Sequence, residues 1–460
     1  MQIPSQLPYI LSLSDLFLTP LYIVILLFII IKIKKRYYAD SPLKIFIVPA
    51  FAIHVFGCIF FALVYQYYYG YGDMYGYFTG AHETWTAFLK DPRIAFELIF
   101  KSRENFSETA MNWAPYSSFL GFAGSLSVMI KIASVVGLFC FGSYLPIALV
   151  FTLFSFWGTW LMYITINKYF PHLYKFTGIA CLFIPSVIIW SSGVTKEAPC
   201  MFALGLCFYS FDQLLRRKRF LRNLFLLFIG AIILYNIKSY LLFTFAAAAF
   251  IWWYRSFIFN LHTFFFRLVA RVLFFIFLVT AIIYSISVAD NFVQETITNK
   301  LSAGENLQEM MTSINNSEGG SGYQLPPFNL SVVGVLKSFF QSLNVALFRP
   351  YLWECTNVLM LLSFAESFAT FLLVLFTIFK VGFRKLIFYC KMPVMLFMLV
   401  FSLILAPIAG FISFNFGTLV RYKIPLLPFF ILFFVIILFD SKYQAAMKKV
   451  AQADSKLQVL

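Results

Sequence analysis

Eight charged residues stand where an apolar chain has least reason to keep them. Asp73, Lys196, Glu197, Lys238, Arg349, Glu354, Arg421 and Lys423 each lie at the end of a long hydrophobic run. A carboxylate can take a proton from a hydroxyl, and Lys and Arg can hold a phosphate. Charge beside hydrocarbon is costly, so such residues point to function by default.

Four segments concentrate them. In the first, Asp73 lies within GDMYGY, behind Tyr67, Tyr68, Tyr69 and Tyr71. It reads as a general base or an acceptor-positioning group, with Tyr75 and Tyr77 among the rings that could stack on sugars. The plainer reading is an interfacial aromatic belt around a solvated carboxylate. His82 and Glu83 follow as a second acid/base pair, although two donors are too few to define a metal site. In the second segment, WSSGVTKE, a turn at Gly193 puts Lys196 and Glu197 at a helix start. Glu suits that end of the helix dipole and Lys does not, so Lys196 implies a phosphate near the free N–H groups or an ion pair with Glu197.

The third segment, FRPYLWE, carries Arg349 and Glu354, and Glu366 follows inside the apolar run LMLLSFAESFATFLL. A carboxylate there needs a partner, and Arg349 or a cation from another helix is expected to supply it. The fourth, NFGTLVRYKIP, brings Asn415, Arg421 and Lys423 beside an expected helix start at Pro425. Lys238, in NIKSY, adds one more cation in a short turn. Lys196, Lys238, Arg349, Arg421 and Lys423 therefore read as phosphate binders. Glu197 and Glu354 read as caps or as partners of their cationic neighbours.

These residues must be positioned by membrane helices. The 460 residues are 61% hydrophobic and 12% charged, about half the charge of a soluble domain. About 20 apolar residues cross the hydrocarbon. By that measure the chain is an all-α, polytopic transmembrane helical bundle, one integral membrane domain over residues 1–460. About eleven spans are expected, near 15–31, 45–66, 146–166, 174–191, 197–214, 221–236, 239–254, 271–289, 357–379, 393–413 and 424–440. The net charge of +16 lies in short loops such as KIKKR (32–36), RRKR (216–219) and KVGFRK (380–385), as the positive-inside rule produces. No basic stripe with stacking aromatics remains for nucleic acid. The seven Cys are scattered and read as small buried hydrophobes.

Basic loops on the inner face put the N-terminus outside, the C-terminus in the cytoplasm and the eight charges on one, outer side. This requires residues 119–142, with Lys131 near their centre, to form an interfacial or re-entrant helix. Two long outer loops are expected: 67–118, with short surface helices, and 290–345, with a mobile Gly/Ser/Asn-rich centre.

Together these motifs resemble the GT-C superfamily of membrane glycosyltransferases, which use polyprenyl-phosphate-linked sugars. Asp73 in GDMYGY stands where that family places an acidic residue after a membrane span. Lys131–Ser134, the turn at Asn167–Phe170, Pro185 and Ser186, SSGVTKE and RYKIPLLPF look like its later landmarks. The resemblance implies sugar transfer on the outer face of a bacterial cytoplasmic membrane, and a single candidate base suits one displacement with inversion. Asp73 would be the base, the cations would bind the donor phosphate, and a glycan or lipid would be the acceptor. Many members carry paired acids in the first loop. Here Met74 follows Asp73, so no metal or other cofactor is implied. The set GDxxY, WSSGxxKE, RPxxWE and RYKxP also looks like a polysaccharide polymerase or ligase of the Wzy type. A lipid or glycan transporter ranks third, because the charges lie at one face and no internal repeat is evident.

Overall fold

The computed structural model describes residues 10–113, 124–259, 332–413 and 415–457. They are helical, with no β-strand among the described residues. Long apolar runs satisfy their backbone groups internally as helices, which is what a bilayer demands. Eight described helices are long and apolar enough to cross a membrane. The protein is a multi-pass membrane protein.

The helices are α1 (Leu13–Tyr37), α2 (Lys44–Val64, extended by a π-helical turn Tyr65–Tyr69), α3 (Asp73–Lys90), α4 (Pro92–Phe100), α5 (Glu108–Trp113), α6 (Ser125–Phe139), α7 (Tyr144–Asn167), α8 (Tyr174–Leu182) and α9 (Pro185–Trp190). Then come α10 (Glu197–Leu215), α11 (Phe220–Phe259), α12 (Val332–Phe348), α13 (Val358–Val381), α14 (Phe383–Tyr389), α15 (Pro393–Ile412), α16 (Phe416–Lys423) and α17 (Leu427–Leu457).

The expected spans 221–236 and 239–254 merge into α11, which is broken at Lys238 (φ −144°, ψ 79°). The break reverses the chain. Leu227 accepts a bond from Cys207 of α10, while the Trp252 ring lies 5.3 Å from that of Phe208. A straight helix would separate residues 227 and 252 by about 37 Å, so both arms return to the same turn of α10.

The expected span 174–191 is discontinuous. α8 stops at Leu182, and α9 restarts at Pro185 in its first turn. Proline lacks the N–H that would continue the ladder and disfavours helix in the residue before it. The expected span 271–289 and residues 290–331 of the second loop lie outside the described residues. The end of that loop is the helix α12, packed along α15 rather than an open connection.

In the first loop the expected short helices form as α3, α4 and α5. Of the segment 119–142, α6 covers Ser125–Phe139, about 22 Å long against about 30 Å of hydrocarbon. It packs on α3, and Lys131 donates to the Lys101 carbonyl.

Polar groups gather at opposite ends of α10. Glu197 begins the helix. Near its other end Asp212 accepts from Lys168 (3.0 Å), Arg216 (2.9 Å) and Tyr169 (2.6 Å), about 22 Å away along the axis. His172 and Tyr389 both bond Asp440.

α7 and α10 cross in close backbone contact. A Cβ on Gly158 would lie 2.1 Å from the Met201 carbonyl oxygen, and one on Gly205 would lie 2.1 Å from that of Gly158. Small residues at such crossings let membrane helices pack by contact alone. Gly158→Val is expected to cost at least the ~1–3 kcal/mol of core overpacking, lowering the thermal unfolding midpoint in detergent. Gly417→Ala, whose Cβ meets only Asn415 Oδ1 at 3.4 Å, should leave that midpoint near wild type. Equal midpoints for the two variants would contradict the close crossing.

Candidate functional site

The site is built where four helix ends converge: the π-helical end of α2, the start of α3, the start of α10 and the last turn of α16. The break in α11 joins them. Glu197 is its hub. It is 1% exposed and accepts from Lys238 at 2.9 Å and from Arg421 at 3.4 Å. Arg421 also reaches Asp73 at 3.5 Å. The carboxylate expected to pair locally with Lys196 thus pairs with two cations from distant helices. Burial of an ion pair is tolerated only when both charges are matched, and here one carboxylate matches two partners.

Lys196 precedes α10 and donates to Ser125 Oγ of α6 at 3.0 Å. Among the described residues it forms no ion pair. Burial chiefly lowers its pKa, against the charges of Asp73 and Glu197, which raise it. Burial also works against the Arg421 charge, but Glu197, Tyr65 and Asp73 outweigh it and hold the pKa up. Three cations (Lys196, Lys238, Arg421) surround two carboxylates (Asp73, Glu197), which leaves one positive charge.

Asp73 opens α3 with its side chain 55% exposed. Its Oδ2 faces Arg421, and Oδ1 makes no bond among the described residues. Helix N-termini favour a carboxylate at this position. Three hydroxyls beside the cluster, on Tyr77, Tyr240 and Thr195, are buried without a hydrogen-bond partner. Tyr77 has its pKa raised, mainly by burial and then by the Asp73 charge, so it stays a neutral donor.

The remaining expected residues distribute differently. Tyr75 and Tyr77 are 6% and 1% exposed. Tyr75 donates to the Tyr65 carbonyl, so neither presents a ring for stacking. Tyr67, Tyr68 and Tyr71 are the exposed rings of this segment. His82 bonds the Gly142 carbonyl at 2.9 Å, and Glu83 lies beside it on α3, so this pair sits deeper in that helix than Asp73. Asn415 is the N-cap of α16, its Oδ1 accepting from Thr418 N at 2.7 Å. The helix start expected at Pro425 is instead a turn between α16 and α17.

Arg349 pairs with Glu354, through Nε to Oε2 at 3.1 Å and through a second contact from Nη2 to Oε1, and lies over the Phe416 ring. Glu354 also accepts from Tyr351 N. Glu366 therefore finds a partner other than the expected Arg349: its Oε2 accepts from Ser186 N at 2.8 Å, at the restart of the broken span. Lys423, 1% exposed, donates to Ser367 at 2.8 Å, and burial lowers its pKa against the pull of Glu366. Residues two apart on a helix do not share a face, so Arg421 and Lys423 serve different places. Of the five expected phosphate binders, the structure brings Lys196, Lys238 and Arg421 to Asp73. Arg349 lies over Phe416 at the start of α16, and Lys423, in its last turn, reaches Ser367 of α13 instead.

Between these two polar groups lies a cavity of about 240 Å³, walled by Tyr68, Tyr69, Tyr71, Trp190 and Phe416. Sequence reasoning gave no role to Ser125, Thr195, Tyr240 or Trp190, although Trp190 and Thr195 lie within the WSSGVTKE segment. Among the described residues no three His, Cys, Asp or Glu side chains group as a metal site.

Glu197→Gln should leave Lys238 and Arg421 buried without a counter-charge and cost about 3–5 kcal/mol, read as a lower unfolding midpoint in nanodiscs. Adding Lys238→Met should restore part of it. An unchanged midpoint in the single variant would remove Glu197 from its place as hub.

Compared with known proteins, the chain matches no family model, no curated protein and no solved structure.

Proposed function

We propose that the protein is an integral membrane glycosyltransferase of the bacterial cytoplasmic membrane. It moves a sugar from a polyprenyl-phosphate-linked donor to a glycan or lipid acceptor on the extracytoplasmic face. The observation that carries this reading is the open Asp73 carboxylate beside Arg421, within a cluster holding one unmatched positive charge. Asp73 takes the proton from an acceptor hydroxyl. The oxygen attacks the anomeric carbon, the bond from that carbon to the phosphate oxygen breaks, and the lipid phosphate leaves with the electron pair. Arg421 and Lys196 stabilise the negative charge that gathers on the leaving phosphate. One base and one leaving group suit a single displacement with inversion.

The positions of Arg349 and Lys423 give less support to the polymerase alternative, in which outer-loop arginines catalyse. A transporter draws support from one feature, the broken span α8–α9, since discontinuous helices often line transport sites. Substrate flux into proteoliposomes without a covalent product would favour that reading.

In nanodiscs supplied with a panel of polyprenyl-phosphate sugars, Asp73→Asn should lower transfer about 10²–10⁴-fold, the usual worth of a general base, with the unfolding midpoint unchanged. Full activity in that variant overturns the assignment. Full activity together with loss in Arg349→Ala points to the polymerase.

The lowered pKa of Lys196 gives a pH dependence. As pH rises through it the ammonium loses its proton and its hold on phosphate, so donor KM should climb at a lower pH than an ordinary lysine would give. Lys196→Arg keeps its charge at any such pH and should flatten the alkaline rise. An identical rise in both proteins would mean that another group titrates.

A further inference from the structure

The cavity behind the charge cluster has no role in the proton transfer or in phosphate binding. Its walls nevertheless belong to the same elements. The Tyr69 ring packs tilted at 45° against that of Tyr65 (centroids 5.1 Å apart), and Tyr65 lies within the electrostatic reach of Arg421, Glu197 and Asp73. Trp190 ends α9 and leads within six residues to Lys196. Val420 lines the cavity next to Arg421.

We infer that this cavity is the subsite for a neutral sugar ring, placed so that a ring held there lies beside the Arg421–Asp73 pair. The size fits: about 240 Å³ falls below the ~300 Å³ at which drug-sized pockets begin, leaving room for one ring. The chemistry fits as well. A pyranose presents C–H bonds on its faces and hydroxyls on its rim. Aromatic faces carry partial negative charge and attract C–H groups, and five aromatic rings wall the cavity. Polar groups stand among them. Asn357 spends its Oδ1 on Met360 N at 2.9 Å, and its amide N–H groups make no bond among the described residues. The hydroxyls of Tyr68, Tyr71 and Ser363 add further donors and acceptors.

The position argues for sugar over a lipid chain. The membrane-spanning run of α2 ends at Tyr69, and that of α13 starts at Val358. The cavity is thus at helix ends, where the bilayer meets water, and Tyr68 and Tyr71 at its edge are 58% and 53% exposed. Phe416 is fixed from behind by Arg349, 5.4 Å from its centroid. This gives the ion pair of Arg349 and Glu354 a purpose: it holds the aromatic wall.

The inference rests on the proposed transfer only for the identity of the reacting partner, because binding can be read without turnover. Methyl glycosides of glucose, galactose and N-acetylglucosamine serve as probes, with saturation-transfer NMR on the full chain in nanodiscs and empty nanodiscs as control. At least one glycoside should receive saturation at its ring C–H protons. Ser363→Phe, which projects a ring into the cavity, should abolish the signal. Tyr69→Ala, which removes a wall, should weaken binding about tenfold, or about 1.4 kcal/mol.

No signal above empty nanodiscs for any glycoside overturns the subsite, as does a signal that survives both Ser363→Phe and Tyr69→Ala. Displacement of the signal by farnesol, at a concentration that leaves empty nanodiscs unaffected, identifies a lipid-chain pocket and equally overturns it. Binding by a wild-type protein that transfers no sugar would keep the subsite and sink the transferase. Transfer that is unaffected by Ser363→Phe would keep the transferase and sink the subsite.

Discussion

A single buried carboxylate sets the geometry of this end of the bundle. Glu197 cannot keep its charge in a low-dielectric interior without cations, and it takes them from two distant parts of the chain. Lys238 arrives from the break in α11, and Arg421 from the last turn of α16. Each requirement shapes an element. An unbroken α11 would carry its C-terminal half away from α10, whereas the break both returns the chain and delivers the ammonium. α16 must present Arg421 inward, which leaves Lys423 on another face against Ser367. Once Arg421 is fixed, Asp73 at the start of α3 has a cation to face, and the first-loop helices acquire a fixed end. The charge left over after these pairings is positive, and Lys196 carries it, with a hydroxyl as its only partner among the described residues.

Membrane helices keep their backbone bonds internal, so a break has to be compensated. At Pro185 the restarted helix offers Ser186 N, and the Glu366 carboxylate accepts from it. At Lys238 the break delivers the side chain to the Glu197 carboxylate. The two interruptions lie on either side of α10 in sequence, and each brings a polar group to a carboxylate from another helix. The opposite layer, built on Asp212 and Asp440, contains cations from the basic loops. The two ends of one bundle therefore differ in kind. One centres on two carboxylates that each take two or more donors, and the other holds an open carboxylate, an unmatched lysine and a cavity.

Much of the fold was legible because hydropathy speaks for each helix separately. The runs behind α1, α2, α7, α10, α13, α15 and α17 needed no knowledge of their neighbours, whereas the reading of 119–142 as an interfacial helix depended on keeping every basic loop on one face. The site was legible in part for the same reason. Asp73, Lys196, Lys238 and Arg421 each stood out as a charge at the end of an apolar run. Their pairing was not legible. Lys196 and Glu197 are neighbours in sequence, yet at a helix start their side chains diverge, and Glu197 finds its partners about 40 and about 220 residues later. Arg421 and Lys423 looked like one phosphate clamp until the turn of α16 parted them. Trp190, Tyr240 and Thr195 carry no charge and follow no period, so only the assembled bundle shows them.

The division of labour across α16 explains why so short a helix holds its place. Eight residues form barely two turns, too few to be stable alone. It is capped at one end by Asn415, and its last turn carries Arg421 and Lys423, which favours the dipole. Those two cations are anchored on different neighbours: Arg421 on α10 and α3, Lys423 on α13. Phe416 at its start is pressed by Arg349 from the α12–α13 connection. The helix is thus held from three sides by charges and spans little of the membrane itself. Its residues Phe416, Gly417 and Val420 form one wall of the cavity, while Arg421, next along the chain, faces Asp73. Any ligand that reaches both the cavity and the carboxylate must lie along this helix, so the ion pairs that fix α16 also fix the distance between the two places.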